Sequence, residues 1–261
     1  MTERIFQIGT DPNDTGYRMY KRKNATIESG VTVLVGCNGS GKTTLLNEIM
    51  YQLKDLKIPF VHFDNLENGG SSLISESIYN NNIGMAAAAW TASEGERIVI
   101  SINNLAGQLR QFVNSGGEKD GKRDSRMARI FAKDNEPPFE NPTKELWILI
   151  DATDSGLSID NVRDLKDLLH LVETDALSKG YTPYILISAN EYEMCKGEEC
   201  FSVQDSRYIS FSSYEKYADF VMATRAYKDR SVSRLSEKKD KCIDRLSEKK
   251  ERDEGEYDER G

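Results

Sequence analysis

The sequence predicts an α/β fold: a largely parallel sheet flanked by helices, with an antiparallel β portion at the amino end. Three stretches carry this expectation. Val31-Thr-Val-Leu-Val runs directly into Gly36 and then into Leu45, Leu46, Ile49, Met50 and Leu53 at helical spacing, so strand, glycine loop and amphipathic helix follow without a break. Leu146-Trp-Ile-Leu-Ile-Asp151 and Tyr184-Ile-Leu-Ile-Ser188 are continuous apolar runs of the kind buried on both faces of a parallel sheet.

Taken in order, residues 4–8 read as a strand, and Thr26 to Val35 as a hairpin turning at Ser29-Gly30 with β-branched residues on both sides. After the helix that opens at Lys42, the segment Ile58 to Phe63 is β-like and ends at Asp64-Asn65. Residues 98–112 place Ile98, Ile102, Leu105, Leu109 and Phe112 on one helical face. Residues 114–143 hold three prolines, several glycines and few apolar residues, and read as a polar insertion. A helix is expected from about Asp160 to Ser178, with Gly180 as its terminator. A last strand near 207–211 and a helix over 214–226 complete the folded part.

At 261 residues the chain suits one domain with appendages, here residues 1–227 followed by a tail over 228–261. The tail carries eleven basic and eleven acidic residues and repeats Arg-Leu-Ser-Glu-Lys-Lys at 234–239 and 245–250, a charged, nearly neutral extension read as a solvated helix or a disordered segment. The net charge of -8 argues against a surface that coats nucleic acid or anionic membrane. Two basic clusters, Arg18 with Lys21-Arg22-Lys23 and the 119–133 stretch, read first as solvated loops. Met85 to Trp90 and Leu146 to Ile150 are far shorter than the ~18–20 residues of a membrane span, so no membrane insertion is expected. The amino terminus shows no basic segment followed by an apolar run, which makes a cytoplasmic location the expectation. Cys37, Cys195, Cys200 and Cys242 are then expected as free thiols. Zinc is not expected, because His62 and His170 lie far in sequence from the closely spaced Cys195 and Cys200.

The chemistry concentrates in Gly36-Cys-Asn38-Gly39-Ser40-Gly41-Lys42-Thr43, which fits Gly-x-x-x-x-Gly-Lys-[Ser/Thr]. Glycines let successive amides curve around nucleotide phosphates, Lys42 reaches the β and γ phosphates, and the Thr43 hydroxyl suits Mg²⁺. Asp151 ends an apolar strand at the edge where ligands bind in open α/β folds, which makes it the second magnesium-holding oxygen donor. A nucleotide polyphosphate and Mg²⁺ are therefore the expected ligands.

Extended through Thr44, the loop resembles that of the ATP-binding cassette (ABC) class of P-loop ATPases, which includes transporter motors and soluble structural-maintenance-of-chromosomes-like ATPases. Ser93-Glu94-Gly95-Glu96 is similar to the class's Ser-x-Gly-Glu/Gln signature, and Ser155-Gly-Leu-Ser-Ile-Asp160 resembles its D-loop. Tyr17 lies about where the family stacks a ring on adenine; Tyr20 is its rival, and either also suits the core. Ser115-Gly-Gly-Glu118 matches the signature more literally than Ser93, but the signature works from the amino end of a long helix, and the apolar stripe begins just after Glu96. The resemblance covers residues 1–226 and is nearest to small AAA-type ATPases of bacterial and phage genomes. It implies a homodimer with ATP sandwiched between the loop of one subunit and the signature of the other, and leaves a protein or DNA partner open.

Two departures bear on activity. Where the family follows its magnesium aspartate with a glutamate, this chain has Ala152, and Asp154 is the nearest carboxylate to position the attacking water. Where the family often has a switch histidine, Ser188-Ala-Asn190 offers an amide that can hydrogen-bond a γ phosphate without transferring a proton. Slow hydrolysis through Lys42, Asp151, Asp154 and Asn190 is the expectation; a non-hydrolysing scaffold, a transporter motor and a nucleotide kinase are the alternatives. The short stretch between Lys42 and Ser93 leaves little room for a transporter's helical coupling subdomain.

Overall fold

The computed structural model describes residues 2–9, 20–64, 94–118, 141–151, 157–233 and 236. Residues 119–140 of the polar insertion, most of the tail, Tyr17, Ser93, Ala152, Asp154 and the first two residues of the D-loop stretch lie outside the described residues. The elements are β1 (Glu3–Gln7), β2 (Asn24–Glu28), β3 (Gly30–Val35), α1 (Lys42–Asp55), β4 (Phe60–Asp64), α2 (Glu94–Asn114) and β5 (Glu145–Asp151). There follow α3 (Ile159–Ser178), β6 (Thr182–Ser188), α4 (Tyr192–Cys195), β7 (Glu199–Ser202), β8 (Arg207–Ile209) and α5 (214–233).

Among the described residues, six strands form the main sheet in the order β4-β5-β6-β3-β7-β8, parallel throughout except for β8, which runs antiparallel to β7. The expected α/β class with a largely parallel sheet is present. So is the antiparallel β portion at the amino end, a two-stranded sheet pairing Glu3 with Glu28 and Gln7 with Asn24. The hairpin expected over Thr26 to Val35 is not. β2 pairs with β1, whereas β3 enters the main sheet between β6 and β7, so Ser29-Gly30 is a crossing between two sheets. β-branched residues on both sides of a turn specify strands, not their partners, and Gly30 at φ 113° lets the chain change direction. β7 and α4 were not legible as periodic segments because each is only four residues long.

Alternation along the central strands fills two cores. Val33, Val35, Ile148, Ile150, Ile185 and Ile187 face α2 and α3, meeting Leu105, Leu109, Leu165 and Leu169. Leu34, Trp147, Leu149, Tyr184 and Leu186 face the other way, where Leu45, Leu46, Ile49 and Leu53 of α1 and Phe6 and Ile27 of the small sheet cover them. This double burial is the physical reason β5 and β6 read as unbroken apolar runs. Trp147 is the centre of the α1 side: it is fully buried, stacks on Tyr184 at 4.1 Å and meets Phe6 edge-on at 5.1 Å. Its Nε1 donates to Glu145, which also receives Arg4 through two bonds of 2.6 and 2.9 Å and so ties the small sheet to the large one.

Helix ends follow their sequence signals. α3 begins after Ser158 and stops at Gly180, whose φ of 79° closes the turn while the Tyr181 amide donates to Ala176 O at 3.0 Å. α2 ends in Ser115-Gly116-Gly117, with both glycines at positive φ and the Gly117 amide on Phe112 O at 2.9 Å. α5 continues unbroken across the expected 227/228 boundary to residue 233. Among the described residues, no helix is long and apolar enough to cross a membrane.

Because Trp147 fills the junction of three layers, Trp147→Ala is expected to cost about 3–5 kcal/mol, read as a lowered midpoint in urea unfolding with little change in slope.

Candidate functional site

The loop between β3 and α1 is shaped by its glycines. Gly36, Gly39 and Gly41 all have positive φ, and the Ser40 amide closes a tight turn on Cys37 O at 3.0 Å. Gly36 is required for a second reason: a Cβ there would lie 2.5 Å from Ser40 Oγ. Ser40 Oγ itself is buried and has no hydrogen-bond partner among the described residues. Gly41, at φ 96° and ψ 21°, occupies the cap position of α1, where no side chain caps the helix and its first turn holds no acidic residue. The amides that open α1 are therefore left without a side-chain cap at the positive end of the helix dipole, an arrangement that favours an anion.

Lys42 opens this helix and is 8% exposed. Its ammonium curls back to donate to Gly36 O at 2.9 Å and Cys37 O at 3.4 Å. Burial of a cation is costly unless carbonyls or an anion compensate it, and the loop supplies two carbonyls to Lys42. Tyr20 braces the same turn: its hydroxyl donates to Gly41 O at 3.0 Å, and burial, with the Glu48 carboxylate nearby, pushes its pKa far above the usual phenol range. At 5% exposure Tyr20 packs within the α1 core.

Opposite the loop stands Asp151 at the end of β5, 4% exposed, accepting a hydrogen bond from the Ser188 hydroxyl at the end of the neighbouring strand. Asn190 follows two residues later, its carbonyl held by the Tyr217 hydroxyl. Asn38, Gly39, Gly41, Lys42, Thr43, Thr44, Asp151, Ser188 and Asn190 line one cavity of about 220 Å³. Gly36 and Ser40 form the turn beneath it. Gly95 and Glu96 fall in the first turn of α2.

The donor set fits a polyphosphate with a hard cation. Uncapped amides, a buried ammonium and an orphaned hydroxyl suit phosphate oxygens, while the Thr43 hydroxyl and Asp151 carboxylate are oxygen ligands on the same cavity. Among the described residues no group of three or more His, Cys, Asp or Glu could hold a metal by itself. One carboxylate is what Mg²⁺ commonly takes from a protein when phosphates supply further ligands. Cys37, Cys195 and Cys200 are buried free thiols. His62 sits half-buried on the edge strand β4. His170 lies on α3 between Glu173 and Glu198; burial lowers its pKa, but those carboxylates more than offset this and leave it raised. Neither histidine lines the cavity.

Sequence reasoning missed Ser188 as a site residue, although its signal was present: two neighbouring apolar strands each end in a polar residue, and the register Ile150↔Ile187 aligns Asp151 with Ser188. It also missed Thr224, whose Oγ1 accepts from the Cys37 amide at 3.0 Å, and Lys228, whose ammonium donates to Asn38 O at 2.9 Å. Those contacts join residues 187 and 190 positions apart, and nothing local in the sequence announces them.

No family model matches the chain, and no curated protein matches it. Among solved structures it is similar to cbiO1 from Clostridium perfringens, part of the ABC transporter complex cbiONQ, at 18% identity and a TM-score of 0.35, over 83% of this chain and 90% of that one.

A side chain at position 36 would collide with Ser40 and flatten the turn. Gly36→Ala is expected to leave a folded chain destabilised by roughly 1–3 kcal/mol, checked by thermal melting.

Proposed function

We propose that the chain is an ATP-binding protein of ABC type and a slow Mg²⁺-dependent ATPase. The observation that carries this reading is the convergence, in one cavity, of the uncapped start of α1, the buried Lys42 ammonium and the Asp151 carboxylate. The amides of the loop and of the first turn would bind the phosphates, and Lys42 would exchange its two carbonyl contacts for β and γ phosphate oxygens. Thr43 and Asp151 would hold Mg²⁺, which when bound neutralises charge developing on the phosphate oxygens. Ser188 supports this by fixing the Asp151 carboxylate.

The reaction is attack of water on the γ phosphorus: a P–O bond to water forms, the bond to the β–γ bridging oxygen breaks, and ADP and phosphate leave. Asp154 orients the water, and Asn190 donates to the γ phosphate through its side-chain amide. Ala152, in place of the family's glutamate, makes the step slow because no carboxylate stands directly after Asp151 to activate the water.

ATP would close a homodimer and so switch the binding of a protein or DNA partner. Each subunit would receive Ser93, Gly95 and Glu96 of the other at its nucleotide. The signature works from the amino end of a helix, and Ser93 directly precedes α2 in sequence. Ser115 lies at the opposite end, where its hydroxyl bonds Phe112 O and Glu118 O, and Gly117 packs so closely on Pro59 that a Cβ would come within 2.4 Å. Tyr17 would stack on the adenine.

One observation favours a second reading, a nucleotide-gated scaffold that binds without hydrolysing: the same Ala152. Steady-state phosphate release separates the two. The ATPase reading expects slow release that vanishes in Lys42→Ala and rises about 10- to 100-fold in Ala152→Glu. Full MgATP affinity without any release, unchanged in Ala152→Glu, leaves only the scaffold.

A further inference from the structure

One helix outside the phosphate loop holds both walls of the cavity. Tyr217, Thr224 and Lys228 of α5 are spaced seven and four residues apart, which puts them on one helical face. Tyr217 donates to the Asn190 carbonyl in the loop after β6. Thr224 accepts from the Cys37 amide at 3.0 Å, and Lys228 donates to the Asn38 carbonyl at 2.9 Å, both in the loop after β3. The helix is itself seated firmly. Gln204 Nε2 donates to Thr224 O at 3.2 Å, and the Lys21 ammonium stands 4.9 Å from the Tyr227 ring centre. Phe220 and Val221 pack on the core.

These contacts have a directional consequence. Within a trans peptide the carbonyl and the following N–H point opposite ways, so an ammonium that fixes the Asn38 carbonyl turns the Gly39 amide away from Lys228. Gly39 lines the cavity. Donation to the carbonyl also polarises that amide, and the ammonium adds positive charge behind the loop. We propose that Lys228 is a positioning residue for the phosphate loop, and that α5 docking and nucleotide binding strengthen each other. The inference rests on the loop being a triphosphate site. Coupling between two such events is reciprocal: if docked α5 tightens nucleotide, nucleotide must stabilise docked α5 by the same factor.

The test combines binding of a fluorescent ATP analogue with Mg²⁺ and amide hydrogen exchange over 214–233, in wild type, Lys228→Met and Lys228→Arg. In wild type, saturating nucleotide slows exchange along α5. Lys228→Met binds about fivefold or more weakly and loses the slowing, while Lys228→Arg, which keeps a charged donor, recovers most of both. A melting curve for each variant separates lost positioning from lost folding. Tyr217→Phe, which removes the hydroxyl that donates to the Asn190 carbonyl, reduces the slowing independently and serves if the Lys228 variants fail to fold. Wild type that binds nucleotide while Lys228→Met binds equally well, or while α5 exchange stays unchanged, overturns the inference alone. Wild type that binds no nucleotide overturns the triphosphate site and this inference with it.

Discussion

The structure depends on keeping a lysine ammonium nearly out of water beside a helix start that has no cap. Lys42 is tolerated at 8% exposure because Gly36 and Cys37 turn their carbonyls toward it, and they can do so only because glycines take the bends at 36, 39 and 41. Desolvating an ammonium costs several kcal/mol when its partners are imperfect. The Gly36 and Cys37 carbonyls offset part of that cost.

The parallel sheet delivers the other half of the site. β3, β5 and β6 are adjacent in the order β5-β6-β3, run the same way, and end together, so the loop after Val35, the carboxylate of Asp151 and the hydroxyl of Ser188 emerge along one edge. The two hydrophobic cores hold this edge in register, one through α2 and α3 and the other through α1 with Trp147 and Tyr184. α5 then links the far side of the loop to the strand-end segment carrying Asn190. Packing, register and site geometry are therefore one mechanical unit, and a change in any of the three strands moves groups on the cavity.

Much of this was legible in the residues. The α1 and α3 stripes, the doubly buried β5 and β6 and the Gly180 stop each follow from local periodicity or a single φ requirement, which sequence records directly. The partner of β2 was not legible, because pairing is decided by what covers Phe6 and Ile27 and not by the turn. The place of Tyr20 was equally hidden, since an aromatic near a phosphate loop looks the same whether it faces a base or the core. Asp151 could be named because it ends an apolar run, whereas Thr224 and Lys228 reach the loop only through the tertiary fold.

The most direct measurement is a crystal structure of the chain grown with Mg²⁺ and a non-hydrolysable ATP analogue. The account predicts triphosphate oxygens within hydrogen-bond distance of amides from residues 39 to 44, the Lys42 ammonium on the β and γ phosphates, and the metal between the Thr43 hydroxyl and Asp151. A triphosphate bound elsewhere, with Lys42 still on the Gly36 and Cys37 carbonyls, would contradict it.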